Sequence, residues 1–564
     1  MSKEHINLIF KIWSYISFKD RFQYLLALFL SLISIILEFL SVIIFLPFVS
    51  IILGESKILK TSNSMPFLQT IVELDKFYIY IYFISIILLS ALLRVVSSKF
   101  TIKVCYNIGD NLVINAYEKI LNQDYLFYKS VNSNEFIVIL TNKIPNIVNT
   151  IFVSLINSFS NIILTVIISS FIFYTNPILT ISLLVLFVIF YFILGLYNSL
   201  KIDKDSTLMS KETDFQVKVI SESLGYIKNI LIENSSSMFV QMLKKSISLS
   251  THAQVRMNLR GLTPKYLIEF LLLFVFSSFA YFVTKIDNVE SPIISLSVVI
   301  YASFKIIPLI QILYVNWVGI KGSYANLSMI MSVLDLNPYR NKVELPKLNF
   351  TKSINFNSVF FKYPNNSNFQ LQKLSFEINF GDKVGLFSSS GTGKSTIIDL
   401  LMGLLKPKSG NIIVDGLDIN VCDNNLDWWQ SQISMIPQKI FLFNNSILYN
   451  ICLSNNHELI DKLFLNKVID LCELNFVHQF EEGLDTQIGE SGSRLSGGQA
   501  QRIGIARNLY LNKPIIIMDE ALNSCDEFVE NKIMNNLINY QGKTIIFISH
   551  NADNKKYCNK FIEI

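Results

Sequence analysis

The stretch GLFSSSGTGKST, from Gly385 to Thr396, nearly matches the phosphate-binding loop pattern G-x-x-x-x-G-K-[ST]. Gly393, Lys394 and Ser395 occupy their expected positions, whereas Ser388 stands where the first glycine should be. A lysine at this spacing can reach the β and γ oxygens of a nucleotide, and the hydroxyl that follows it can hold Mg²⁺. The stretch therefore predicts a nucleotide phosphate site.

The residues around this loop favour the same interpretation. Lys383 to Ser389 (KVGLFSS) predicts a strand, and Ser395 to Leu405 (STIIDLLMGLL) predicts the helix that follows the loop. Backbone N–H groups from Gly391 to Thr396 would then surround a β-phosphate at a helix N-terminus. If position 388 requires a positive φ, Ser388 costs roughly 1 to 2 kcal/mol. We therefore expect Ser388 to weaken the affinity for ATP or to leave it unchanged.

A second stretch supplies carboxylates. Pro514 to Ala521 (PIIIMDEA) is an apolar run that ends in two acids, as in a buried parallel strand with carboxylates at its C-terminal edge. Asp519 would hold the Mg²⁺ shell through water. Glu520 would polarise the water that attacks the phosphate.

A third stretch, Arg494 to Arg502 (RLSGGQAQR), places a serine and two glycines at the start of an apparent helix. This is a second anion-binding helix N-terminus, and one chain does not need two of them for one nucleotide. We therefore predict a dimer in which Ser496 to Gln499 of one subunit closes over the nucleotide held by Lys394 of the other.

The elements that position these stretches occupy only part of the chain. Its 564 residues exceed one ordinary hydrophobic core, and the apolar excess, 51% hydrophobic against 16% charged overall, is concentrated before about Val318. A bilayer requires roughly 20 apolar residues per helix. We predict a membrane all-α six-helix domain over 1–335 and a cytoplasmic α/β P-loop nucleotide-binding domain over 336–564. The predicted spans are Tyr24–Leu53, Phe77–Val96, Ile151–Tyr174, Ile178–Tyr197, Tyr266–Thr284 and Ile293–Val318.

The charge pattern predicts the orientation. From Lys201 to Lys265 there are ten Lys or Arg against six Asp or Glu, whereas Gly54 to Phe77 has three of each. Loops with an excess of Lys and Arg usually lie on the cytoplasmic side of a membrane. Both termini and the nucleotide-binding domain are therefore expected on the cytoplasmic side of an inner membrane. The net charge of +5 is modest and dispersed, which gives no support for a nucleic-acid partner.

The LSGGQ stretch and its order among the motifs resemble the signature of ATP-binding cassette (ABC) proteins. Six spans followed by one cassette resemble a half-transporter of the ABC exporter class, which implies ATP, Mg²⁺ and a homodimer with two competent sites. The resemblance also implies roles for Tyr363 in stacking on adenine, Gln438 in joining Mg²⁺ to the membrane interface and His550 near the γ-phosphate. The residues expected at the site are Glu520, His550 and Gln438 for catalysis; Tyr363, Ser388, Ser389, Ser390, Gly391, Thr392, Gly393, Lys394, Ser395, Thr396, Ser496, Gly497, Gly498, Gln499 and Asp526 for ATP; and Ser395, Gln438 and Asp519 for Mg²⁺.

The sequence departs from this family pattern in the loop after the acidic strand. The usual Ser-Ala-Leu-Asp is replaced by Asn523-Ser524-Cys525-Asp526, which keeps only the aspartate. In the family this loop crosses between subunits, so the change bears on communication between the two sites more than on ATP binding.

Ionisable residues within the predicted spans are costly and mark functional candidates. Lys305, Arg260 and Arg94 are the candidates for substrate contact, because their charge could line a site for an anionic headgroup. The alternative for Lys305 is an intramembrane pair with Glu38 or Glu269 that serves only structure. For Arg94 and Arg260 the alternative is snorkelling of the charge to the interface.

Two cytoplasmic stretches, Asn122–Phe136 and Ser221–Asn234, resemble coupling helices that contact the cassettes, although ordinary helical hairpins fit the same sequences. Ser64 to Leu74 (SMPFLQTIVEL) predicts a short external helix. Together with YASFKIIPLI in the last span and NQDYLFYKSVNSNEF (Asn122–Phe136), this stretch is similar to lipid-linked oligosaccharide flippases of the PglK type and related glycan exporters.

The function expected from these resemblances is ATP-driven export or flipping of an anionic amphiphile, a lipid-linked oligosaccharide, with membrane lipid and that glycan as partners. Exporters of peptides, drugs or other lipids share the same scaffold. A membrane-anchored nucleotide sensor without transport is a further alternative.

Overall fold

The computed structural model describes residues 3–52, 76–175, 177–283, 290–337, 349–364, 370–387, 392–549 and 552–563. Near several of the gaps between these ranges, only the backbone is described. The chain divides into two compact units. The helical unit consists of residues 1–123 and 130–338, and the α/β unit consists of residues 124–129 and 339–564. The short segment Asp124–Lys129 thus belongs by its contacts to the α/β unit, although helices of the other unit flank it in sequence.

Long helices dominate the helical unit. Three of them have 46, 49 and 48 residues, about 70 Å each at 1.5 Å per residue, which is more than twice the thickness of a bilayer core. The helices are α1 Lys3–Ser14, α2 Phe18–Ile52, α3 Lys76–Leu121, α4 Tyr125–Ser130, α5 Ser133–Val138, α6 Ile144–Ile147, α7 Ser154–Thr175, α8 Pro177–Gly225, α9 Ile227–Glu233, α10 Ser236–Val283, α11 Glu290–Gly322 and α12 Tyr324–Leu334, of which α4 belongs mainly to the α/β unit.

Five helices in the described residues are long and apolar enough to cross a membrane. They cover Phe18–Phe45, Phe77–Leu121, Ser133–Phe173, Leu184–Gly225 and Phe304–Gly322. These segments overlap five of the six predicted spans. The remaining one, Tyr266–Thr284, lies on α10, which is helical through Val283 but has several side chains outside the described part. The predicted external helix Ser64–Leu74 also lies outside the described residues.

A widened stretch of helix precedes α7. Two π-helical turns, Ile139–Lys143 and Val148–Val153, flank α6, whose first turn contains Pro145. Proline lacks a backbone N–H and clashes with the preceding turn, so the regular α-helical hydrogen-bond pattern cannot continue through it. Such π segments are frequent at functional sites.

The α/β unit contains two sheets. The first has the strand order β2-β1-β4-β5 with antiparallel pairing, and the second has the order β6-β7-β8-β3-β9 with parallel pairing throughout. The strands are β1 Ser353–Lys362, β2 Gln370–Asn379, β3 Lys383–Phe387, β4 Ser409–Val414, β5 Leu417–Asp418, β6 Ile433–Ile436, β7 Ile515–Asp519, β8 Thr544–Ile548 and β9 Lys560–Glu563. The helices are α13 Lys394–Leu401, α14 Asp423–Ser431, α15 Ile447–Cys452, α16 Lys462–Leu471, α17 Gly497–Tyr510 and α18 Glu527–Ile538, with short 3₁₀ turns at His457–Leu459, Leu474–Gln479, Gly483–Asp485, Glu490–Gly492 and Ala552–Tyr557.

The predicted α/β fold of this unit is confirmed, and the parallel sheet is its centre. Strand β7 has four fully buried residues before Asp519, because it lies between β6 and β8 and is covered on both faces. Helix α13 ends at Leu401 rather than at the predicted Leu405. Gly403 has a φ of +67°, which breaks the helical backbone there.

Candidate functional site

The C-terminal ends of four parallel strands meet at one edge of the second sheet. Gln438 follows β6, Glu520 follows β7, and Gly393 lies after β3 at the start of α13. The carboxyl edge of a parallel sheet is where ligands bind in α/β folds. His550 follows β8, but it lies outside the described residues, as do Ser388, Ser389, Ser390 and Gly391.

The described end of the loop has the backbone that a phosphate site requires. Gly393 has a φ of +103° and is the N-cap of α13. Glycine adopts this left-handed conformation without strain. The first N–H groups of α13 have no partner within the helix, so they can bind an anion at this end. Lys394 and Thr396 are buried at this helix end, while Ser395 is exposed. The described residues thus fit a bound phosphate, with the Ser395 hydroxyl available to a metal ion.

Tyr363 lies beside the same helix end. Its hydroxyl is 3.2 Å from the Thr396 hydroxyl. Its ring packs edge-on against Phe361 at a centroid distance of 4.9 Å. The aromatic ring is therefore fixed next to α13, where a base attached to the phosphates could contact it.

The carboxylate of Glu520 accepts two amide hydrogen bonds on one oxygen. Gln438 Nε2 donates to Glu520 Oε2 at 2.7 Å, and Asn523 Nδ2 donates to the same oxygen at 3.0 Å. Glu520 has a φ of +48°, a left-handed conformation that costs free energy in a non-glycine residue and is common at functional sites. The structure brings together Gln438 and Glu520 as the sequence predicts, and it adds Asn523.

The altered loop Asn523–Cys525 packs against the helix of the LSGGQ motif in the same chain. A Cβ at Gly498 would lie 3.0 Å from the Ser524 carbonyl oxygen, and Gln501 Oε1 accepts from the Ser524 backbone N–H at 2.9 Å. The unusual residue types of the loop are the only sign of this contact in the sequence.

The start of α17 is capped by its own residues. Ser496 Oγ accepts from the Gln499 backbone N–H at 3.3 Å, and Gln499 Oε1 accepts from the Ser496 N–H at 2.9 Å. Gly497 occupies the first helical position, as predicted, and Asp526 occupies the N-cap position of α18. The helix start is thus preorganised with exposed N–H groups.

One contact at this site is made by residues that belong to no recognised motif. Lys129 Nζ, on α4, is 3.1 Å from the Asp399 carboxylate of α13. It also lies 5.6 Å from the centre of the Tyr363 ring and 4.5 Å from that of Tyr125. Burial raises the pKa of Asp399, and the Lys129 charge opposes that rise. An acid within the apolar run STIIDLL is the only sequence signal for this pair.

In the helical unit, three charged side chains from three helices meet. Arg94 donates to both oxygens of Glu38, at 2.9 and 3.1 Å, and Lys305 Nζ is 3.8 Å from Glu38 Oε1. The Glu38 side chain is only 14% exposed. The structure thus places Lys305 next to Glu38, the intramembrane pair that the sequence allowed as an alternative.

Arg260 does not join this cluster. It pairs with Asp205, which also accepts from Arg256 at 2.6 Å. Glu269, the other possible partner of Lys305, is instead 3.9 Å from Lys265 one helical turn away. Of the three substrate candidates, only Arg94 and Lys305 lie together.

Comparison with known families agrees with this geometry. The family profile for the ABC transporter transmembrane region matches residues 24–308, and the profile for the ABC transporter matches residues 371–523. The chain belongs to the ABC transporter family. The cassette match implies that this family member binds ATP, normally with Mg²⁺.

Individual relatives of this ABC transporter are similar over part of its length. The alpha-hemolysin translocation ATP-binding protein HlyB of Escherichia coli is 35% identical over 229 residues, which is 40% of this chain and 31% of that protein. The leukotoxin translocation ATP-binding protein LktB of Mannheimia haemolytica gives the same values, 35% over 229 residues, 40% and 31%. The matched part is thus 31% of the length of these relatives.

The fold extends the likeness to nearly the whole chain. A solved structure of a bacterial Atm1-family ABC exporter with ATP bound superimposes with a TM-score of 0.76 and covers 97% of this chain and 93% of that one. The sequence identity is 20%, so this similarity concerns the fold alone. It is the fold of an exporter membrane domain joined to one cassette.

Proposed function

We propose that this protein uses ATP hydrolysis to export or flip an anionic amphiphile, a lipid-linked oligosaccharide, across the membrane. The observation that carries the substrate class is the cluster of Arg94, Lys305 and Glu38. Two cations share one carboxylate, so this cluster carries one positive charge in excess. A charge in a membrane is costly unless a partner compensates it. A phosphate or pyrophosphate on the substrate would supply that partner.

ATP hydrolysis would take place at the carboxyl edge of the parallel sheet. Water held by Glu520 attacks the γ-phosphorus, its proton passes toward that carboxylate, and the bond to the β–γ bridging oxygen breaks so that ADP leaves. Lys394 and the N–H groups of α13 stabilise charge that develops on the phosphoryl oxygens. His550 would contact the γ-phosphate and Tyr363 the adenine.

The amides of Gln438 and Asn523 would orient the base. Both donate to Oε2 of Glu520, which fixes the orientation of the carboxylate toward the water. Neutral donors fix the geometry of the carboxylate without cancelling its charge. We therefore assign Asn523 as a positioning residue, in a place where the family pattern has serine.

A magnesium ion would be held by Ser395 and Gln438, with Asp519 reaching it through water. When bound, it would neutralise charge on the β- and γ-phosphates. The oxygen-rich donor set of hydroxyl, amide and carboxylate is the one that Mg²⁺ prefers.

The assembly that completes the site would be a homodimer. Half-transporters of this class typically work as dimers, and the capped start of α17 offers its N–H groups to a nucleotide held by the partner subunit. Because loops rich in Lys and Arg favour the cytoplasm, the cassettes would lie there, beneath an inner membrane.

The experiment is transport in proteoliposomes that contain the purified full-length protein. A fluorescent lipid-linked oligosaccharide should move across the bilayer only with ATP, and the same lipid should stimulate phosphate release. Arg94→Gln and Lys305→Gln should each reduce that stimulation, while basal ATPase activity remains. The matched control is Lys265→Gln, which removes an exposed cation paired only along its own helix.

The names of HlyB and LktB favour a second candidate, the export of a polypeptide. An unfolded protein substrate would stimulate ATPase activity without needing Arg94 or Lys305. Stimulation by a polypeptide, together with no response to any lipid-linked glycan, would replace the first proposal by this one.

A further inference from the structure

A cavity of about 440 Å³, lined by both apolar and polar side chains, lies within the helical unit, away from the charged cluster. Its wall is formed by the π-helical stretch around α6 and by faces of α8, α10, α11 and α12. In the π-helical stretch, Asn142, Asn146 and Thr150 line the cavity at intervals of four residues. Residues at this spacing lie on one side of a helix, so three successive turns present polar groups to the same space.

Amide and hydroxyl side chains supply the uncharged polar groups of the wall, five of each. Besides Asn142 and Asn146, the lining includes Gln254, Asn258 and Asn326. Gln254 donates to Asn258 Oδ1 at 3.0 Å. Within the described part of the chain, no hydrogen bond engages the side chains of Asn142, Asn146 and Asn326. Each amide offers both donors and an acceptor, so the wall can bind groups that both donate and accept.

The wall carries no net charge. Lys143 is the one charged residue among the described residues that line the cavity, and its side chain is 3% exposed. Its ammonium donates to Asp214 Oδ2 at 2.8 Å and is thereby neutralised. A cavity of this kind discriminates by hydrogen bonds and gives no advantage to an anion.

The cavity lies where four predicted spans reach the cytoplasmic side. Thr150 and Leu262 precede the third and fifth predicted spans. Ser206 and Gly319 follow the fourth and sixth. The lining extends from these span ends into the predicted cytoplasmic parts of the helices, so the cavity lies at the headgroup level and beyond it. The cavity is therefore placed to receive the polar head of an amphiphile.

We infer that this cavity binds the uncharged saccharide part of the substrate, separately from the cluster that would bind its phosphate. The inference rests on the proposed function and adds the source of headgroup specificity. Sugars present hydroxyl and acetamido groups that donate and accept, which matches the amides of the wall. Lys305 and Gly319 are 14 residues apart on α11, about 21 Å along a helix, so an oligosaccharide rather than one sugar would reach from one to the other.

Gly319 permits a test by filling the cavity. It lines the space, and a Cβ built on it meets no described heavy atom within 4 Å. Gly319→Leu should therefore occupy the saccharide volume without a clash at its first carbon, and a helix interior tolerates leucine better than glycine.

The experiment compares two ligands that differ only in the sugar. ATPase stimulation of the full-length protein in proteoliposomes is titrated with a polyprenyl pyrophosphate that carries a neutral oligosaccharide, and with the same polyprenyl pyrophosphate without sugar. The sugar should lower the half-stimulating concentration about tenfold, which corresponds to about 1.4 kcal/mol and one or two hydrogen bonds. Asn142→Leu, Asn146→Leu and Gly319→Leu should remove this difference and leave the response to the bare lipid unchanged.

Asn149→Leu is the matched control. Asn149 lies in the same stretch of helix but bonds Tyr106 at 3.0 Å outside the cavity, so the tenfold difference should persist in this variant. Equal responses to both lipids in the wild type would overturn the saccharide site and leave the proposed function standing. No response to either lipid would instead contradict the proposed function. Loss of the dimer in the asparagine variants, with equal loss for both lipids, would assign the amides to a contact between copies.

Discussion

Two carboxylates, Glu520 in the α/β unit and Glu38 in the helical unit, each lie between two donors, but the donors differ in charge. Glu520 accepts from the neutral amides of Gln438 and Asn523. Glu38 accepts from Arg94 and has Lys305 beside it. Amides orient a carboxylate and leave its charge available for chemistry, whereas cations neutralise it. Similar geometry would therefore position a base in the α/β unit and balance charge in the helical unit.

Removing the carboxylate of Glu520 should have the largest effect. We expect Glu520→Gln to lower kcat for ATP hydrolysis by about a hundredfold or more, because a positioned general base contributes on that scale. Nucleotide binding should persist, as measured by fluorescence of a labelled ATP. Glu527→Gln changes an exposed acid on α18 and should leave kcat unchanged. A Glu520→Gln variant that retained activity would move the role of base to another residue.

Removing the carboxylate of Glu38 should affect stability rather than chemistry. Glu38→Gln leaves Arg94 and Lys305 without their shared anion, and an uncompensated charge in a membrane costs about 3 kcal/mol. The melting temperature in detergent should fall, while basal ATPase activity per folded molecule remains. Glu269→Gln breaks only an exposed pair with Lys265 and should leave the melting temperature unchanged. If both variants melt alike, the cluster does not contribute to stability.

Replacing one amide at Glu520 should produce a smaller loss. Asn523→Ser removes a hydrogen bond to a charged group, and we expect about a tenfold lower kcat with an unchanged KM for ATP. Asn523→Asp should in addition move the acid limb of the pH–rate profile to higher pH, because a neighbouring anion disfavours the ionised base. Unchanged profiles in both variants would show that Asn523 does not orient Glu520.

The ion pair between Lys129 and Asp399 should give the smallest effect. The lysine side chain is 42% exposed, so solvent screens the pair and about 0.5 kcal/mol of coupling is expected in a double-mutant cycle with Lys129→Gln and Asp399→Asn. KM for ATP should rise about two- to threefold in either variant, because the pair holds α4 beside Tyr363. Lys129→Arg should preserve KM. Additive effects would show that the two residues act separately.

Much of the nucleotide site could be predicted because its groups follow the ends of parallel strands. The strand before Glu520, the helix after Lys394 and the helix start at Gly497 all lie where the residue pattern places them. Such elements depend on side-chain periodicity and backbone preferences over a few residues. Even here the bond from Asn523 to Glu520 was not predictable, because residue periodicity does not determine the conformation of a loop in which Glu520 has a positive φ.

The sequence by itself determined the order of motifs, the two kinds of unit and the list of residues that could touch a nucleotide. Only the tertiary structure decided which distant groups meet: Lys129 with Asp399, Glu38 with Arg94 and Lys305, and the amides that share one neutral cavity. These partners come from helices far apart in the chain. Their contacts depend on how whole helices pack, and the spacing of residues along one helix does not encode the partner on another.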